Sequence, residues 1–566
     1  MEYLVTAEEM KAYDNATIHC FGVPSLVLME RAAWGCARVI LERDRRLSEA
    51  LNAAGGKKIT PPRRTLVLAG CGNNGGDGLA VGRLLAQAGF PVDFVLLSRE
   101  MPVPAGAAEP SQLPSDPDRE ADEEGRVPAV LWEKCSPETR TQLSILEKYG
   151  YPVTYKLPEQ EYDIIVDALL GIGLKKQVSG NLARAIEWVN ARRAFVLSVD
   201  IPSGIQADTG EICGCAVRAD VTVTFAFCKR GLALYPGAEY AGEVRKEEIG
   251  ITPDSFLGSP PAMFTYQQEI RTLLPGRPCT GNKGTFGKVL LAAGSPGMAG
   301  AAVLAGEAVL RTGAGMVRIL SPEENRVILQ TALPEAMLSL YDGTGGCVEN
   351  AVRWADVIAV GPGLGTGEEA GRILELLLDG KEASGKPMVI DADAINLLAG
   401  DKELLEALIR KQAEEASRRQ LILTPHPGEL ARLEGCTVAE AVRDAVRITG
   451  KWADRLQAAV LCKGARTVVS RPDGSCYLNT SGNSGMAAAG SGDVLTGIAA
   501  SLLAQGMEAF EAACAGTYLH GLAGDAAAGQ KGQYGMTAGD LTAALGVVLS
   551  DENAGGRRCP ARPSWA

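Results

Sequence analysis

The sequence predicts an α/β protein with two domains, each built around a mainly parallel β-sheet. At ~100–200 residues per domain, the 566-residue chain is too long to fold around one hydrophobic core. In both halves, short apolar stretches alternate with helical patterns, which is typical of strands covered on both faces by helices. A stretch rich in Pro and Gly, GITPDSFLGSPPAMF, separates the two series and indicates a linker.

The first domain is predicted over residues 1–245. Helical periodicity begins at TAEEMKAYDN and resumes after a break at Gly22–Pro24. Five buried strands are predicted at TLVLAG, VDFVLL, YDIIVDAL, AFVLSVD and DVTVTFAF, with helical patterns between them. This order predicts a doubly wound parallel sheet. Residues 101–135 interrupt it with a stretch rich in Pro, Glu and Asp, which indicates a surface insertion with a mobile middle.

A linker over residues 246–274 leads to a second predicted α/β domain over residues 275–550. Its strands are predicted at GKVLLAAGS, MVRIL, DVIAVG, PMVIDAD, LILTP, AAVLCKG and TVVSRPDG. Long helical patterns at GMAGAAVLAGEAVLRTGAG and SGDVLTGIAASLLAQG lie among these strands. Residues 551–566 are predicted to form an untethered tail.

Composition and charge argue against several functional classes. The net charge of −12 disfavours a broad nucleic-acid or acidic-membrane surface, which needs a basic face. No apolar run reaches the ~18 residues of a transmembrane helix, and the N-terminal stretch lacks the features of a secretory signal. The 14 cysteines are scattered without a C-x-x-C motif, which favours reduced thiols over a disulfide framework. We expect a cytoplasmic homo-oligomer that binds neither nucleic acid nor membrane.

The stretch LVLAGCGNNGGDG, residues 66–78, predicts a strand that ends in a glycine-rich turn before a helix. Ligands of open α/β sheets bind at such turns. Gly75, Gly76 and Gly78 are expected to permit positive φ and close approach of the backbone, and the N–H groups of the following helix to hold a phosphate. The side-chain oxygens of Asn73 and Asn74 suit a cation or a sugar hydroxyl. A turn without a ligand is the alternative.

Two further predicted strands end in polar residues, Asp167 in VDALLGIG and Asp200 with Ser203 in VDIPSG. Each aspartate taken alone could be a helix cap. Because the carboxyl ends of parallel strands meet at one edge of a sheet, the three strand ends together favour a site.

In the second domain, NSGMAAAGSGDVLTG places small residues and an aspartate at the start of an apolar helix. The N–H groups of Gly490, Ser491 and Gly492 can stabilise an anion while Asp493 deprotonates a hydroxyl beside it. This pairing suits phosphoryl transfer. The alternative is that Asp493 only caps the helix.

Four more predicted strands of this domain end in polar or glycine-rich loops, namely VIAVGPGLG, VIDADAIN, LILTPHPGEL and CKGARTVV. The two prolines around His426 stiffen its loop and fix where the imidazole points. His426 has a structural or solvated alternative, Glu429 could be a first-turn helix charge, and Lys463 could meet phosphate or solvent.

The motifs LMERAA, NNGGDG, VDALLGIG and VDIPSG, in this order, resemble the epimerase domain of NAD(P)H-hydrate repair proteins over residues 3–245. The resemblance implies a Rossmann-like fold and interconversion of the R and S forms of a nicotinamide hydrated at ring carbon 6. It implies that Asp200 is catalytic and that K⁺ is bound by Asn74, Asp167 and Ser203. The residues implied to bind the hydrate, NAD(P)HX, are Asn73, Asn74, Gly75, Gly76, Asp77, Gly171, Ile172, Gly173, Leu174, Lys175, Lys176, Gln177 and Asp200.

The motifs NKGTFGKVLLAAGS, GPGLG, DADAIN, TPHPGE, KGART and GSGD resemble the dehydratase domain of the same repair system over residues 275–550. This resemblance implies a ribokinase-like fold and a reaction in which ADP or ATP phosphorylates the C6 hydroxyl, after which phosphate leaves and NAD(P)H is restored. We expect ADP to be the donor, although no single residue distinguishes it from ATP. Mg²⁺ is implied to bridge the nucleotide phosphates, and Asp493 to be catalytic. The implied contacts with NAD(P)HX are Ala301, Gly363, His426 and Asp493, and those with the nucleotide are Lys463, Gly464, Ala465, Arg466, Thr467 and Gly492.

One alternative assigns the second site a different product. A small-molecule kinase of the ribokinase-like superfamily would use the GSGD loop in the same way, with a non-catalytic binding domain at its N-terminus. That alternative leaves NNGGDG and VDIPSG unexplained. The products distinguish the two hypotheses, because a repair enzyme regenerates NADH whereas a kinase leaves a stable phosphorylated product.

Overall fold

The computed structural model describes residues 1–53, 63–99, 129–266, 272–341, 345–415 and 418–550. The chain forms two compact units, Tyr3–Pro261 and the chain from Ala262 onward together with Met1 and Glu2. The division falls inside the segment 246–274 that the sequence predicts as a linker. The predicted tail 551–566 and most of the predicted insertion 101–135 lie outside the described residues.

The first unit contains a seven-stranded sheet in the order β4-β3-β2-β5-β6-β7-β9, in which every pair of neighbours is parallel. The elements of this unit are β1 (Glu2–Val5), α1 (Ala7–His19), α2 (Ser25–Ala53), β2 (Thr65–Ala69), α3 (Asn73–Gln87), β3 (Val92–Leu96), α4 (Ala129–Lys134), α5 (Pro137–Tyr149), β4 (Val153–Thr154), β5 (Ile164–Ala168), α6 (Asn181–Asn190), β6 (Phe195–Val199), β7 (Val221–Phe225), β8 (Cys228–Lys229), α7 (Arg230–Ala233), α8 (Gly237–Tyr240) and β9 (Glu243–Glu247).

Alternate residues of the strands face two separate cores in this unit. Val67 and Ala69 of β2 pack with α2, α3 and α5, whereas Leu66 and Leu68 pack with α6 on the opposite face. The strand order reverses between β2 and β5, where β3 and β4 continue on one side and β6, β7 and β9 on the other. This confirms the predicted doubly wound parallel sheet and places a binding crevice at the ends of β2 and β5.

The glycines of NNGGDG serve one of the two purposes that the sequence suggests, which is close approach of the backbone. Gly75, Gly76 and Gly78 lie inside α3 and do not have positive φ, so the expectation of positive φ is wrong. A Cβ atom at Gly75 would lie 1.8 Å from the carbonyl oxygen of Gly70, and one at Gly78 would lie 2.4 Å from Ala168 Cβ. The glycines therefore allow α3 to approach the ends of β2 and β5 more closely than any side chain permits.

The last part of the predicted insertion is ordered structure. Residues 129–134 form α4, and Leu131 and Cys135 are buried in the core beneath α2 and α5. The predicted insertion therefore ends in ordered structure, because AVLW supplies apolar side chains that pack in the core, while its predicted mobile middle lies outside the described residues.

The second unit contains a ten-stranded run in the order β13-β12-β11-β14-β15-β16-β17-β18-β19-β10. Neighbours are parallel from β13 through β17, β17-β18-β19 is antiparallel, and β10 is parallel to β19. Its strands are β10 (Met263–Thr265), β11 (Lys288–Ala292), β12 (Met316–Pro322), β13 (Met337–Tyr341), β14 (Val357–Val360), β15 (Met388–Ile390), β16 (Leu421–Leu423), β17 (Ala459–Cys462), β18 (Val468–Ser470) and β19 (Cys476–Leu478).

Helices cover this second sheet, which confirms the α/β class predicted for it. They are α9 (Ala299–Arg311), α10 (Arg326–Ala332), α11 (Gly345–Trp354), α12 (Glu368–Asp379), α13 (Ala392–Gly400), α14 (Lys402–Ala413), α15 (Pro427–Glu434), α16 (Val438–Arg443), α17 (Ala445–Leu456), α18 (Ser491–Ala504), α19 (Ala509–Lys531) and α20 (Ala538–Val548). α18 packs tightly on α9, since a Cβ at Gly497 would lie 2.2 Å from the carbonyl oxygen of Ala305.

Twelve cysteines of the described chain are free thiols, as the sequence predicts, whereas Cys279 is disulfide-bonded. Within the described ranges, no helix combines the length and the apolar character needed to cross a membrane.

Candidate active sites

The first candidate site lies where β2 passes into α3. Asn73 is the first residue of this helix, and among the described residues no side chain caps its N-terminus. Gly75 N donates to Gly72 O at 2.9 Å, whereas the N–H groups of Asn73 and Asn74 have no acceptor in the described chain. Two uncapped N–H groups at the positive end of a helix dipole form a site for an anion such as phosphate.

A group of oxygen atoms surrounds the end of β5. Asp167 is fully buried and accepts hydrogen bonds from Ser203 Oγ at 2.5 Å, Ser203 N at 2.9 Å and Ser198 Oγ at 2.7 Å. Burial raises the pKa of this carboxyl, and the hydrogen bonds from Ser203 oppose that rise. Ser203 Oγ accepts from Leu170 N, and Asn74 Nδ2 donates to Leu170 O at 3.1 Å. The structure thus brings together the three residues that the family resemblance implies bind K⁺.

The loop after β5, residues 171–177, lies against the start of α3. A Cβ atom at Gly171 would lie 3.1 Å from Asn74 Cβ, so the two predicted binding segments are adjacent. Lys175 and Lys176 are exposed in this loop. The loop that adjoins this helix N-terminus therefore carries two exposed cationic side chains.

Asp200 follows β6 and carries the first candidate reacting carboxylate. Its backbone has φ 65°, which is unusual for a residue with a side chain, and its N–H donates to Val223 O at 2.8 Å. The buried ammonium of Lys229 forms an ion pair with Asp200 Oδ1. Burial first, and then the negative charge of the nearby Asp200, raise the pKa of Asp77 well above its usual range.

The second candidate site lies at the start of α18. Gly490 has φ 89° and precedes the helix, and a Cβ there would lie 2.4 Å from Leu304 Cδ1. No side-chain hydrogen bond caps this helix in the described chain, so the alternative that Asp493 is only a cap is wrong. Burial first, and then the negative charge of Asp391, raise the pKa of Asp493 to about 7. A carboxylate with this pKa is suited to proton transfer near neutral pH.

Lys463 lies behind this helix start rather than in solvent. Its Nζ is 2.6 Å from Asp391 Oδ1, and a Cβ at Gly492 would lie 3.3 Å from the same Nζ. Asp391 is buried and also accepts a hydrogen bond from Thr496 Oγ1 at 2.5 Å. Lys463 therefore pairs with Asp391 and is not simply solvated, whereas its contact with phosphate stays a prediction.

His426 caps the N-terminus of α15. Its Nδ1 accepts from Gly428 N at 2.9 Å and from Glu429 N at 3.3 Å, while its Nε2 is 3.2 Å from Glu429 Oε1. Because Nδ1 is an acceptor, the imidazole is neutral with its proton on Nε2. Burial and the charge of Lys463 lower the pKa of His426, which agrees with the neutral form. The ring is half exposed and able to contact a ligand.

Two other predicted contacts meet at the loop after β14. Gly363 has φ 57°, and a Cβ at this position would lie 2.9 Å from Ala301 Cβ at the start of α9. Gly365 N donates to Asp393 Oδ2 at 2.8 Å, which holds the loop against α13. Here, unlike in NNGGDG, the glycines do require positive φ.

The segment 463–467 forms a compact turn beside the His426 loop. Lys463 N donates to Pro425 O at 2.9 Å, and Gly464 N donates to Thr467 Oγ1 at 3.3 Å. Arg466 Nη1 donates to Thr480 O at 3.3 Å, and Gly464 and Ala465 are exposed. This turn therefore lies close to both His426 and the start of α18.

Sequence reasoning missed two side chains near these sites. Lys229 is buried shortly after the strand VTVTF. In the sequence, a lysine so close to a buried strand is the signal that could have indicated a buried acidic partner. His520, in α19, lies with Nε2 3.2 Å from Ser491 Oγ, and burial lowers its pKa to about 4. Nothing in the sequence spacing pairs His520 with Ser491.

Comparison with known proteins identifies the family of the chain. The family profile described as NAD(P)H-hydrate dehydratase matches residues 289–546, and the profile described as YjeF-related protein N-terminus matches residues 25–112 and 121–231. The bifunctional NAD(P)H-hydrate repair enzyme Nnr of Moorella thermoacetica is 37% identical over 572 residues, covering 97% of this chain and 96% of that protein. The Escherichia coli protein of the same name is 36% identical, covering 87% of this chain and 86% of that protein.

Among solved structures, the ADP/ATP-dependent NAD(P)H-hydrate dehydratase of Bacillus subtilis, co-crystallised with ATP and Mg²⁺, is 31% identical. It covers 50% of this chain and 97% of its own, with a TM-score of 0.44. The chain belongs to the family of bifunctional NAD(P)H-hydrate repair enzymes, because it is 36–37% identical to the Escherichia and Moorella proteins over most of its length and matches the two profiles.

Proposed function

We propose that this chain repairs hydrated NAD(P)H in two reactions, one in each unit. The first unit interconverts the R and S forms of NAD(P)HX, and the second dehydrates the S form to NAD(P)H at the expense of ADP. The observation that carries the proposal is that each unit holds a carboxylate near an uncapped helix N-terminus, Asp200 near α3 and Asp493 in the first turn of α18. The relatives named as bifunctional repair enzymes support both activities.

In the epimerase unit, the N–H groups at the start of α3 and the loop 171–177 bind the dinucleotide, with Asn73 to Asp77 lining the site. Inversion at C6 proceeds by ring opening or by loss and return of the hydroxyl, and both routes require proton transfer. Asp200 performs that transfer, which contributes ~10²–10⁴-fold to the rate.

The oxygen atoms at the end of β5 fit a potassium ion. Asp167 Oδ1 and Oδ2, Ser203 Oγ and the carboxamide oxygen of Asn74 are hard donors of the kind that alkali and alkaline-earth cations prefer. A fully buried carboxylate such as Asp167 also gains from a cation that offsets its charge. Bound there, K⁺ would order the loop after β5 against the start of α3.

In the dehydratase unit, Asp493 removes the proton of the C6 hydroxyl as the phosphoryl group arrives. The N–H groups of Gly490 and Gly492, which have no acceptor among the described residues, stabilise the negative charge that develops on that group. Ser491 N was expected to join them, but it already donates to Ala488 O at 3.3 Å. Phosphate then leaves, since it is a far better leaving group than hydroxide, and NAD(P)H is restored. His426, Ala301 and Gly363 contact the hydrate. Neutral His426 is not the base, because its Nε2 carries a proton and can only donate a hydrogen bond to the hydrate.

Residues 463–467 and Gly492 bind ADP. Mg²⁺ has a preference for oxygen ligands that phosphates and the carboxylates here satisfy, and it would neutralise phosphate charge during transfer. The choice of ADP over ATP is tested by assaying the full chain with each nucleotide and the S hydrate while following absorbance at 340 nm. We expect the ADP reaction to be the faster. A phosphorylated product that accumulates without NADH would instead support the small-molecule kinase.

A further inference from the structure

A buried lysine lies against the proposed epimerase base. Lys229 is 1% exposed, which is exceptional for a lysine, and nothing in the reaction outlined above uses it. A buried ammonium group is retained only when it is paired and all its protons are bonded. Its three acceptors are Asp200 Oδ1, Phe225 O at 3.0 Å and Thr224 Oγ1 at 3.2 Å. These three contacts use every proton of the ammonium group.

The two carboxylate oxygens of Asp200 are not equivalent. Oδ1 accepts from Lys229, from Thr224 Oγ1 at 3.2 Å and from Phe225 N at 3.2 Å. Oδ2 has no hydrogen-bond donor among the described residues, and the side chain is 13% exposed. One oxygen is therefore fixed by the protein, and the other is free to face a ligand.

The backbone on both sides of this pair is held in an unusual conformation. Asp200 has φ 65° and Ala226 has φ 56°, both in the region that favours glycine. Val223 O accepts from Asp200 N, and Glu247 O accepts from Ala226 N at 2.9 Å. Such conformations persist where surrounding contacts fix them, and they cluster at functional sites.

Lys229 also balances charge in the same region. The titratable groups that face Asp200 from the neighbouring helices are Asp14 on α1, Cys36 on α2 and Asp77 on α3, with Glu138 on α5 behind them. Burial and their mutual repulsion raise the pKa values of Asp14 and Asp77, and the charge of Lys229 opposes both rises. Without this ammonium, the neighbouring carboxylates would disfavour a second negative charge, and His19 on α1 would still favour one at Asp14.

We propose that Lys229 is a positioning residue of the epimerase that holds Asp200 through Oδ1 and thereby presents Oδ2 to the hydrated nicotinamide. This inference rests on the proposed role of Asp200. Oδ2 takes a proton from the substrate and returns one to it, so no proton is consumed overall. Thr224 has a smaller part, because its hydroxyl contacts both Lys229 and Asp200.

The test measures R-to-S conversion by the full chain with ADP present, where the dehydratase converts each S molecule formed into NADH. Lys229→Met should lower kcat by ~10²-fold with a smaller change in KM, and should move the acid limb of the pH profile upward by about one pH unit. The direction follows because the surrounding carboxylates then disfavour ionisation without compensation. Lys156→Met, an exposed lysine of the same unit, is the matched control and should behave as the wild type.

Thr224→Val and Thr224→Ser provide a second pair in case the lysine variant does not fold. Thr224→Val should lower kcat about fivefold to tenfold and shift the acid limb in the same direction, and Thr224→Ser should restore both. A loss of rate with an unshifted pH profile in Lys229→Met or Thr224→Val would show a merely structural role and overturn the proposal. If Asp200→Asn retains full R-to-S activity, the role of Asp200 fails. If that variant is inactive while Lys229→Met is normal, only the role of Lys229 fails.

Discussion

Lys463 Nζ lies 2.6 Å from Asp391 Oδ1 and 3.8 Å from Glu429 Oε2, so one ammonium group faces two buried carboxylates. The other oxygen of Asp391 accepts from Thr496 on α18, the helix that carries Asp493. The pKa of Asp493 is therefore influenced by charged groups to which Asp493 makes no hydrogen bond among the described residues. Asp391 raises its pKa and Lys463 lowers it, while burial is the largest cause of the rise.

Replacing Asp391 tests this electrostatic relationship. Asp391→Asn removes a negative charge that raises the pKa of Asp493, so the acid limb of dehydratase kcat should move to lower pH by about one unit. The pH profile is measured with the S hydrate and saturating ADP. Glu375→Gln, an exposed carboxylate on α12, is the control. An acid limb that stays in place or moves upward would contradict the proposed arrangement.

The raised pKa of Asp493 also predicts that this residue destabilises the fold at high pH. Between pH 3.8 and about 7 the unfolded carboxyl is ionised while the folded one keeps its proton, so the free energy of unfolding falls as pH rises through this range. The loss amounts to about 1.4 kcal/mol for each unit of pKa difference. Asp493→Asn should therefore be more stable than wild type at pH 8, with little difference at pH 4.

The effect is measured by calorimetry. ADP binding should raise the temperature at which the second unit unfolds, which identifies the transition on which Asp493→Asn is compared with the wild type. Asp454→Asn, exposed on α17, should show no such dependence on pH. A variant at position 493 that is less stable than wild type at pH 8 would mean that the carboxylate makes a stabilising contact there.

The K⁺ assignment predicts a specific change in ion dependence. Ser203→Ala removes one proposed ligand oxygen and a hydrogen bond to Asp167, so the K⁺ concentration for half-maximal epimerase activity should rise about tenfold. K⁺ is titrated at constant ionic strength with tetramethylammonium as the replacement. Ser144→Ala on α5 serves as the control. Equal K⁺ dependence in wild type and Ser203→Ala would remove this serine from the ion site.

Close packing at NNGGDG predicts that Gly78→Ala is harmful. The new Cβ would lie 2.4 Å from Ala168 Cβ, which forces α3 away from β5 at a cost of ~1–3 kcal/mol. Thermal unfolding of the first unit should therefore begin at a lower temperature. At Gly72 a Cβ meets nothing within 4 Å and φ is −84°, so Gly72→Ala should leave stability nearly unchanged. Equal stability of the two variants would contradict the packing argument.

The fold class was predictable because it depends on patterns that are local in the sequence. TLVLAG, YDIIVDAL and AFVLSVD are strands in the structure because their runs of apolar residues are buried on both faces. Strand β9 was missed because EVRKE is charged and lies at the edge of its sheet, where only one side is paired. Strand β4 was missed because it has two residues.

The positions of the site residues were predictable for a similar reason, whereas their contacts were not. Strand order places Asp167 and Asp200 at one sheet edge, so their convergence follows from topology. The bond between Lys229 and Asp200 joins residues 29 apart, and that between Thr496 and Asp391 joins residues 105 apart. Such pairs depend on tertiary packing, which no local pattern records. The glycines of α3 are a further example, because the need for a residue without a side chain arises from the strand ends against which α3 packs.

The most direct test of the two-site account follows the return of 340 nm absorbance when the full chain acts on a mixture of R- and S-NADHX with excess ADP. We predict complete conversion to NADH by the wild type, a plateau at the S fraction for Asp200→Asn, and no conversion for Asp493→Asn. Complete conversion at the wild-type rate by either variant, or a wild-type reaction that consumes ADP and yields no NADH, would contradict the account.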